Sequence, residues 1–339
     1  MASAMNTATE KWANIEAALE GSKPRRLPFS VWHHLPEADG AATTLAAATV
    51  EFYRRYDPDW IKVMFRNSFG IEDFGAKVTG YHPTRGNFTV IDPAIKKPED
   101  WRSLKVLPPD RGFQGVQLEA LRGVKAAIGD EAPIVATIFS PTMIASRLAG
   151  NAVFLRHLKE APDAVRAGLK TISQSIADFG IACLENGASG IFYSIIHASR
   201  RMLTDDEYAP LDRDFDRPTA KALFERTRFM MAHLHGHELM FQRFADYPAH
   251  VLNWYDREGG PFLDRARAIV PNIAFAGGID HRGTLMLGTA EDIRTEINDA
   301  VAQTGGRRLL IAPGCAMPIT VPPEKLDAVR EAVASVKLP

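Results

Sequence analysis

The stretch FMMAHLHGHE, residues 229–238, closes an apolar run with three histidines spaced two apart. Successive side chains of an extended segment point to opposite faces, so His233 and His235 share one face while Leu234 takes the other. A His-x-His pair on one face can chelate a metal ion. The third ligand best placed to complete it is Cys315, in Pro313-Gly314-Cys315. Two imidazoles and a thiolate suit zinc and leave a fourth coordination position open for a substrate. His237 lies one step further on, as a ligand or as part of the rim. The competing reading is a set of hydrogen-bonding histidines without metal.

Other polar residues lie where apolar runs end. Trp32-His33-His34, Phe65-Arg66-Asn67, His197, Asn253-Trp254 and Asp280-His281 all fall at such points. Arg66, His33 and Asp280 are assigned to catalysis, with the Asp280 carboxylate orienting a histidine from behind. Trp32, His34, Arg147, Tyr193, His197 and Trp254 are assigned to substrate binding. The rings of Trp32, Phe65, Phe139, Tyr193 and Trp254 should surround the histidines and favour a small, anionic, partly aromatic substrate. Arg66 is expected to grip its carboxylate better than Arg147, because it ends a strand; surface salt bridges are the alternative for both. Cys183 sits on the apolar face of a helix and reads as inert core.

These residues need a scaffold that brings strand ends together. Short apolar runs alternate with segments of helical period, as in a parallel sheet with crossover helices. The eight candidate strands are 27–32, 59–65, 133–139, 189–195, 229–235, 250–254, 272–278 and 307–314, the number that closes a barrel. In 163–187, Val165, Leu169, Ile172, Ile176, Phe179 and Cys183 step by four and three along one helix face. Thr289 with Asp292 resembles a capping box, Gly305 supplies a left-handed stop, and a last helix from about Pro323 buries Leu326, Val329, Val333 and Val336.

The chain has 339 residues and 46% hydrophobic content, enough for two average domains, although an α/β barrel of this size commonly folds as one. A single domain over 1–339 is expected, with an N-terminal helical extension at about 1–24 and a long excursion at about 66–115. Forty basic and 41 acidic residues leave a net charge of −1 without runs of like charge, which disfavours nucleic-acid and membrane partners. Two cysteines make no disulfide framework, and no stretch approaches 18 apolar residues, so a cytoplasmic protein with a small-molecule substrate is expected.

The succession PEDW (98–101), FSPTMIASRLAG (139–150), ENGASGIFYS (185–194), HLHG (233–236), NWYDREGG (253–260), AFAGGID (274–280), TGGRRLLIAPGC (304–315) and PPEKLDAVREAV (322–333) resembles the uroporphyrinogen decarboxylase superfamily across nearly the whole chain. That resemblance implies a single (β/α)8 TIM barrel and one of two chemistries: cofactor-free decarboxylation of uroporphyrinogen, or alkyl transfer to a thiol by zinc-dependent corrinoid methyltransferases. The decarboxylases carry an arginine-rich Trp-x-Met-Arg-Gln-Ala-Gly-Arg pattern where this chain has Trp32-His33-His34-Leu35-Pro36-Glu37. Their central aspartate would fall near Phe65 or Arg66, their tyrosine at Arg147 and their histidine at Cys315. These departures argue against uroporphyrinogen as substrate.

In the methyltransferase branch, zinc is held by a His-x-Cys pair and a Gly-Cys cysteine. His233 and Cys315 match, and His235 stands where the middle cysteine belongs; one thiolate fewer makes a bound zinc more electrophilic. The resemblance implies a zinc enzyme transferring methyl or alkyl groups, with a corrinoid, free or on a corrinoid protein, as co-substrate. A decarboxylase or lyase of a small carboxylate is the alternative, followed by a non-catalytic barrel binding a corrinoid or a partner.

Overall fold

The computed structural model describes residues 8–339. Seven of its strands form one parallel sheet in the order β1 (Ile61–Val63), β4 (Ile134–Phe139), β5 (Gly190–Ile195), β6 (Met230–Leu234), β7 (Val251–Trp254), β8 (Ala274–Ile279), β9 (Leu309–Pro313). Between β1 and β4 lies a separate antiparallel hairpin, β2 (Lys77–Tyr81) with β3 (Phe88–Asp92), within the excursion at 66–115.

The expected first strand is not part of this ladder. Residues 27–33 touch β9 through an isolated bridge at Phe29–Ile311 and the segment after β9 through one at His33–Met317, and the Ser30 amide donates to the Ile311 carbonyl at 3.0 Å. Ahead of β1 the Asp59 amide donates to the Phe29 carbonyl, 2.8 Å, and the Ser30 hydroxyl to the Trp60 carbonyl, 2.8 Å. A buried charge does the rest. The Asp59 carboxylate, with no exposed surface, takes a forked pair from Arg26 at 2.6 and 2.7 Å and the Phe29 amide at 2.8 Å. Pro28 lacks an amide proton, so a continuous ladder could not form through it.

The two sheet faces bury different sets. One carries Trp60, Met64, Val135, Phe192, Met231 and Leu310, closed from below by Ile15 and Ala18 of the helix Ala8–Glu20. That helix lies within the stretch read from sequence as an N-terminal extension, of which residues 1–7 lie outside the described residues. The other face carries the larger core against the surrounding helices and includes Tyr193, Leu234, Trp254 and Phe275. Phe192 and Tyr193 on opposite faces illustrate the two-residue period.

The helix Pro162–Glu185 buries Val165, Leu169, Ile172, Ile176, Phe179 and Cys183 as the spacing predicts. Helix Pro323–Ser335 buries Leu326, Val329 and Val333, whereas Val336 lies just past its end and is only partly covered. Thr289 and Asp292 form both halves of a capping box on Ala290–Thr304, and Gly305 ends it at φ 63°. Thr289→Ala should lower stability by about 1 kcal/mol, read by urea unfolding; no change would mean that solvent satisfies those amides equally well. Among the described residues no helix is long and apolar enough to cross a membrane.

Candidate metal centre

Strand β6 delivers His233 from its last turn of pleat and His235 just beyond it. The residue opposite His233 on β7 is Asn253. His233 Nδ1 lies 2.6 Å from Asn253 Oδ1, and the Asn253 amide nitrogen donates to the carbonyls of Ala276, 2.8 Å, and Pro313, 3.1 Å. Both amide hydrogens are thereby spent on carbonyls, so Oδ1 must be the atom facing the imidazole and Nδ1 must carry the proton. Nε2 is left with its lone pair, buried and without a hydrogen-bond partner. A carbonyl-type acceptor behind an imidazole is the arrangement that aims the other nitrogen at a metal.

The other two side chains meet that lone pair. Cys315 follows Gly314, where any Cβ would stand 2.8 Å from the Trp254 carbonyl, and this close approach sets the thiol beside the ends of β6 and β7. The ligand atoms of His233, His235 and Cys315 all lie within 4.8 Å of one another. Cys315 Sγ to His235 Nδ1 is 3.7 Å, near the edge of about 3.6 Å that nitrogen and sulfur span around tetrahedral zinc. Burial alone would raise the Cys315 thiol, but His233 and His235 outweigh it and hold the group well below its ordinary range. The Tyr255 hydroxyl is 3.1 Å from His235 Nδ1. Donor types, spacing and the orphaned nitrogen fit zinc.

Asn253→Ala should weaken zinc binding about 10- to 100-fold by freeing the His233 tautomer. Competition with a chromogenic chelator measures this, and an unchanged affinity would remove Asn253 from the site.

Several residues assigned from sequence lie elsewhere. His33 points away from the trio: its Nδ1 is 2.7 Å from the His34 carbonyl and its ring packs on Phe52. Tyr193 and Trp254 belong to the outer core, the first donating to the Asp216 carbonyl and the second to the Pro261 carbonyl, each at 2.9 Å. Phe65 also packs in the outer core, on Phe69 and Phe179. Phe192 and Tyr255, one residue from each of the assigned pair, face the histidines: Phe192 stacks on His233 at 5.1 Å and Tyr255 lies edge-on to His235 at 5.4 Å. His197 is buried against Phe154 with Asn151 at 3.4 Å. His237 stands at the rim, edge-on to Tyr255.

Asp280 does not orient the trio. It accepts the amides of Arg282, 2.9 Å, and Gly283, 2.8 Å, and so shapes its own turn. With Glu258 and His281 it forms a second potential ligand group, but Glu258 is engaged by the Arg282 guanidinium and by His281 at 3.3 Å. Orientation of the trio falls to Asn253 and Tyr255.

Arg66, expected to grip a substrate, is occupied by its own chain: Glu72 at 2.7 Å, Asp39 at 3.2 Å and the Phe88 ring at 3.8 Å. Arg147 has no carboxylate partner among the described residues. It donates to the Asn67 carbonyl and lies 5.4 Å from the Phe139 ring, and burial pushes it down to about 10. Trp32 is fully buried beneath the site, edge-on to Phe192. His34, pushed down to about 3 by burial and then by Lys62, leaves Nδ1 buried and unpartnered.

Lys62 is the group sequence reading missed. It stands on β1 facing inward, 7% exposed, 2.8 Å from the Met64 thioether and 4.2 Å over the Phe192 ring. Burial pushes it down to about 7, partly offset by attraction to Cys315. Its signal was a charge inside the apolar run DWIKVMF, on the same side as Trp60 and Met64.

A parallel α/β sheet that gathers two histidines, a cysteine and their orienting groups at its C-terminal strand ends defines an enzyme of the barrel-like α/β class. The chain belongs to the uroporphyrinogen decarboxylase (URO-D) family, whose model matches residues 21–336. Its similarity runs to methyltransferases. It is 24% identical over 302 residues to a Methylcobamide:CoM methyltransferase MtbA of Methanosarcina acetivorans, covering 89% of this chain and 87% of that one. The MtbA of Methanosarcina mazei is 22% identical over 296 residues, 87% and 85% of the two chains. A solved methyltransferase from Methanosarcina mazei shares the fold at a TM-score of 0.82 and 19% identity, over 95% of this chain and 97% of that one. A B12-independent methionine synthase from Shewanella shares it at 0.60 and 11% identity.

Proposed function

We propose that this chain is a zinc-dependent methyl or alkyl transferase built as one (β/α)8 barrel domain, with residues 27–33 completing the ring between β9 and β1. The observation that carries the reading is the buried, unpartnered Nε2 of His233 beside His235 and Cys315. His233, His235 and Cys315 would hold the ion, and Asn253 fixes the donor nitrogen of the first. When bound, zinc supplies the Lewis acidity that keeps a substrate thiol as thiolate near neutral pH. Partial exposure of His235 and Cys315 leaves their outer side open to a small molecule. The relatives named methylcobamide:CoM methyltransferases support a corrinoid methyl donor, free or on a corrinoid protein, and a thiol acceptor.

The test is methyl transfer from methylcobalamin to small thiols by untagged, zinc-loaded protein, followed by cobalamin absorbance and by mass detection of the methyl thioether. No thioether with any thiol would overturn the proposal. Arg147, held by the Asn67 carbonyl with no carboxylate partner among the described residues, favours a second reading, a carboxy-lyase of a small acid, for which carbon dioxide release without a thiol is the diagnostic product.

A further inference from the structure

We infer that the hairpin β2–β3 is a strap across the rim of the candidate metal centre, latched at Gly86, and that a bulky molecule reaches Cys315 when its tip lifts. This rests on the proposed site only for which loop the strap crosses, and no bound zinc is needed to test it.

Among the described residues β2 pairs with β3 alone, and neither strand contains a buried residue. A two-stranded hairpin with so little apolar cover has marginal stability of its own, so contacts with the rest of the chain must hold it in place. Those contacts lie at or near its tip and fall on three neighbouring strand ends. After β1, Asn67 Oδ1 accepts the Phe88 amide at 3.3 Å, and the Arg66 guanidinium lies 3.8 Å from the Phe88 ring. After the segment 27–33, Glu37 accepts the Tyr81 hydroxyl at 3.0 Å. After β9, the Ile319 amide donates to the Thr84 carbonyl at 2.7 Å. The hairpin thus spans the rim from β1 to β9.

Gly86 closes the latch. Its φ of 71° is left-handed, and a Cβ there would stand 2.7 Å from Ile319 Cγ2 and 2.8 Å from His34 Cβ. Bare backbone is therefore seated between the loop after β9 and the loop after 27–33. Met317 joins the same two loops, its amide donating to the Trp32 carbonyl at 3.0 Å and its backbone bridging His33. Cys315 lies two residues before that bridge and Ile319 two after it, so the tip rests on the short span that carries the thiol. Lifting the tip gives up a few hydrogen bonds and the Gly86 packing, and leaves the core intact.

The test compares a bulky and a small thiol reagent, N-pyrenylmaleimide and N-methylmaleimide, on the metal-free full chain, with labelled peptides counted by mass spectrometry. Cys183, without exposed surface on the helix Pro162–Glu185, reports global unfolding. Gly86→Val should speed labelling of Cys315 by the bulky reagent about tenfold, leave the small reagent near its wild-type rate and leave Cys183 unlabelled. Gly80→Val, in the same hairpin where a Cβ meets nothing within 4 Å, should behave as wild type. Ile319→Ala trims the side chain packed on Gly86 without straining the backbone, and should raise the bulky-to-small ratio even if Gly86→Val exposes Cys183. An unchanged ratio in Ile319→Ala, equal acceleration of both reagents, or a Gly80→Val protein as fast as Gly86→Val would overturn the strap. A zinc-binding chain with an unchanged ratio refutes the strap alone, and a raised ratio in a chain that binds no zinc refutes the metal reading alone.

Discussion

Cys315→Ala and His233→Ala proteins are expected to fold, to retain far less than one zinc per chain, and to lose thiol methylation by about 10³-fold or more. Cys315 is the one sulfur ligand of the set, and the neighbouring histidines hold its thiol well below its ordinary range. His233 is the ligand whose orientation is built in by Asn253. Folding should survive, because neither side chain belongs to the large apolar core between sheet and helices. Elemental analysis of dialysed, untagged protein gives the metal count, and the cobalamin assay gives the rate. A Cys315→Ala variant that keeps stoichiometric zinc at unchanged affinity would sink the assignment.

Lys62→Met is expected to stabilise the protein at neutral pH by as much as about 4 kcal/mol. Burial lowers the folded lysine from 10.5 to about 7. Between those values the unfolded chain keeps a proton that the folded chain has released. Unfolding therefore takes up protons there, and wild-type stability rises with pH across the window. The variant lacks this dependence. Its advantage should be greatest at pH 7 and below and should close toward pH 10.5. Urea unfolding at both ends of that range measures it. A variant no more stable than wild type at neutral pH would show that the ammonium already has a stabilising partner in the folded chain.

The strands and the grouping of His233, His235 and Cys315 were legible because they depend on local signals: apolar runs, a two-residue period and residue types suited to one ion. What failed was register by one. Tyr193 and Trp254 were placed at the site where Phe192 and Tyr255 stand, since a single-residue slip sends every side chain of a strand to the other face. The same period separates His33 from His34. Arg66 was preferred over Arg147 because it ends a strand, whereas its guanidinium is closed by Glu72 six residues on and by Asp39, which lies far back in the chain and which nothing in the sequence shows folding onto it. The first strand was overcounted because hydrophobicity reports burial, whereas ladder pairing also needs the amide that Pro28 lacks. Lys62 was hidden by its neighbours, an apolar run that reads as core.

The Asn253 side chain clasps the carbonyls of Ala276 and Pro313, tying β7 to β8 and to the end of β9 while it sets the His233 tautomer. That clasp is made entirely of protein atoms, so the geometry of the proposed metal centre takes shape during folding. Under the zinc proposal, loading would follow folding, unlike that of small domains which collapse only around their metal. On the zinc reading proposed above, metal supply would set how much of this chain is active without setting how much of it is folded.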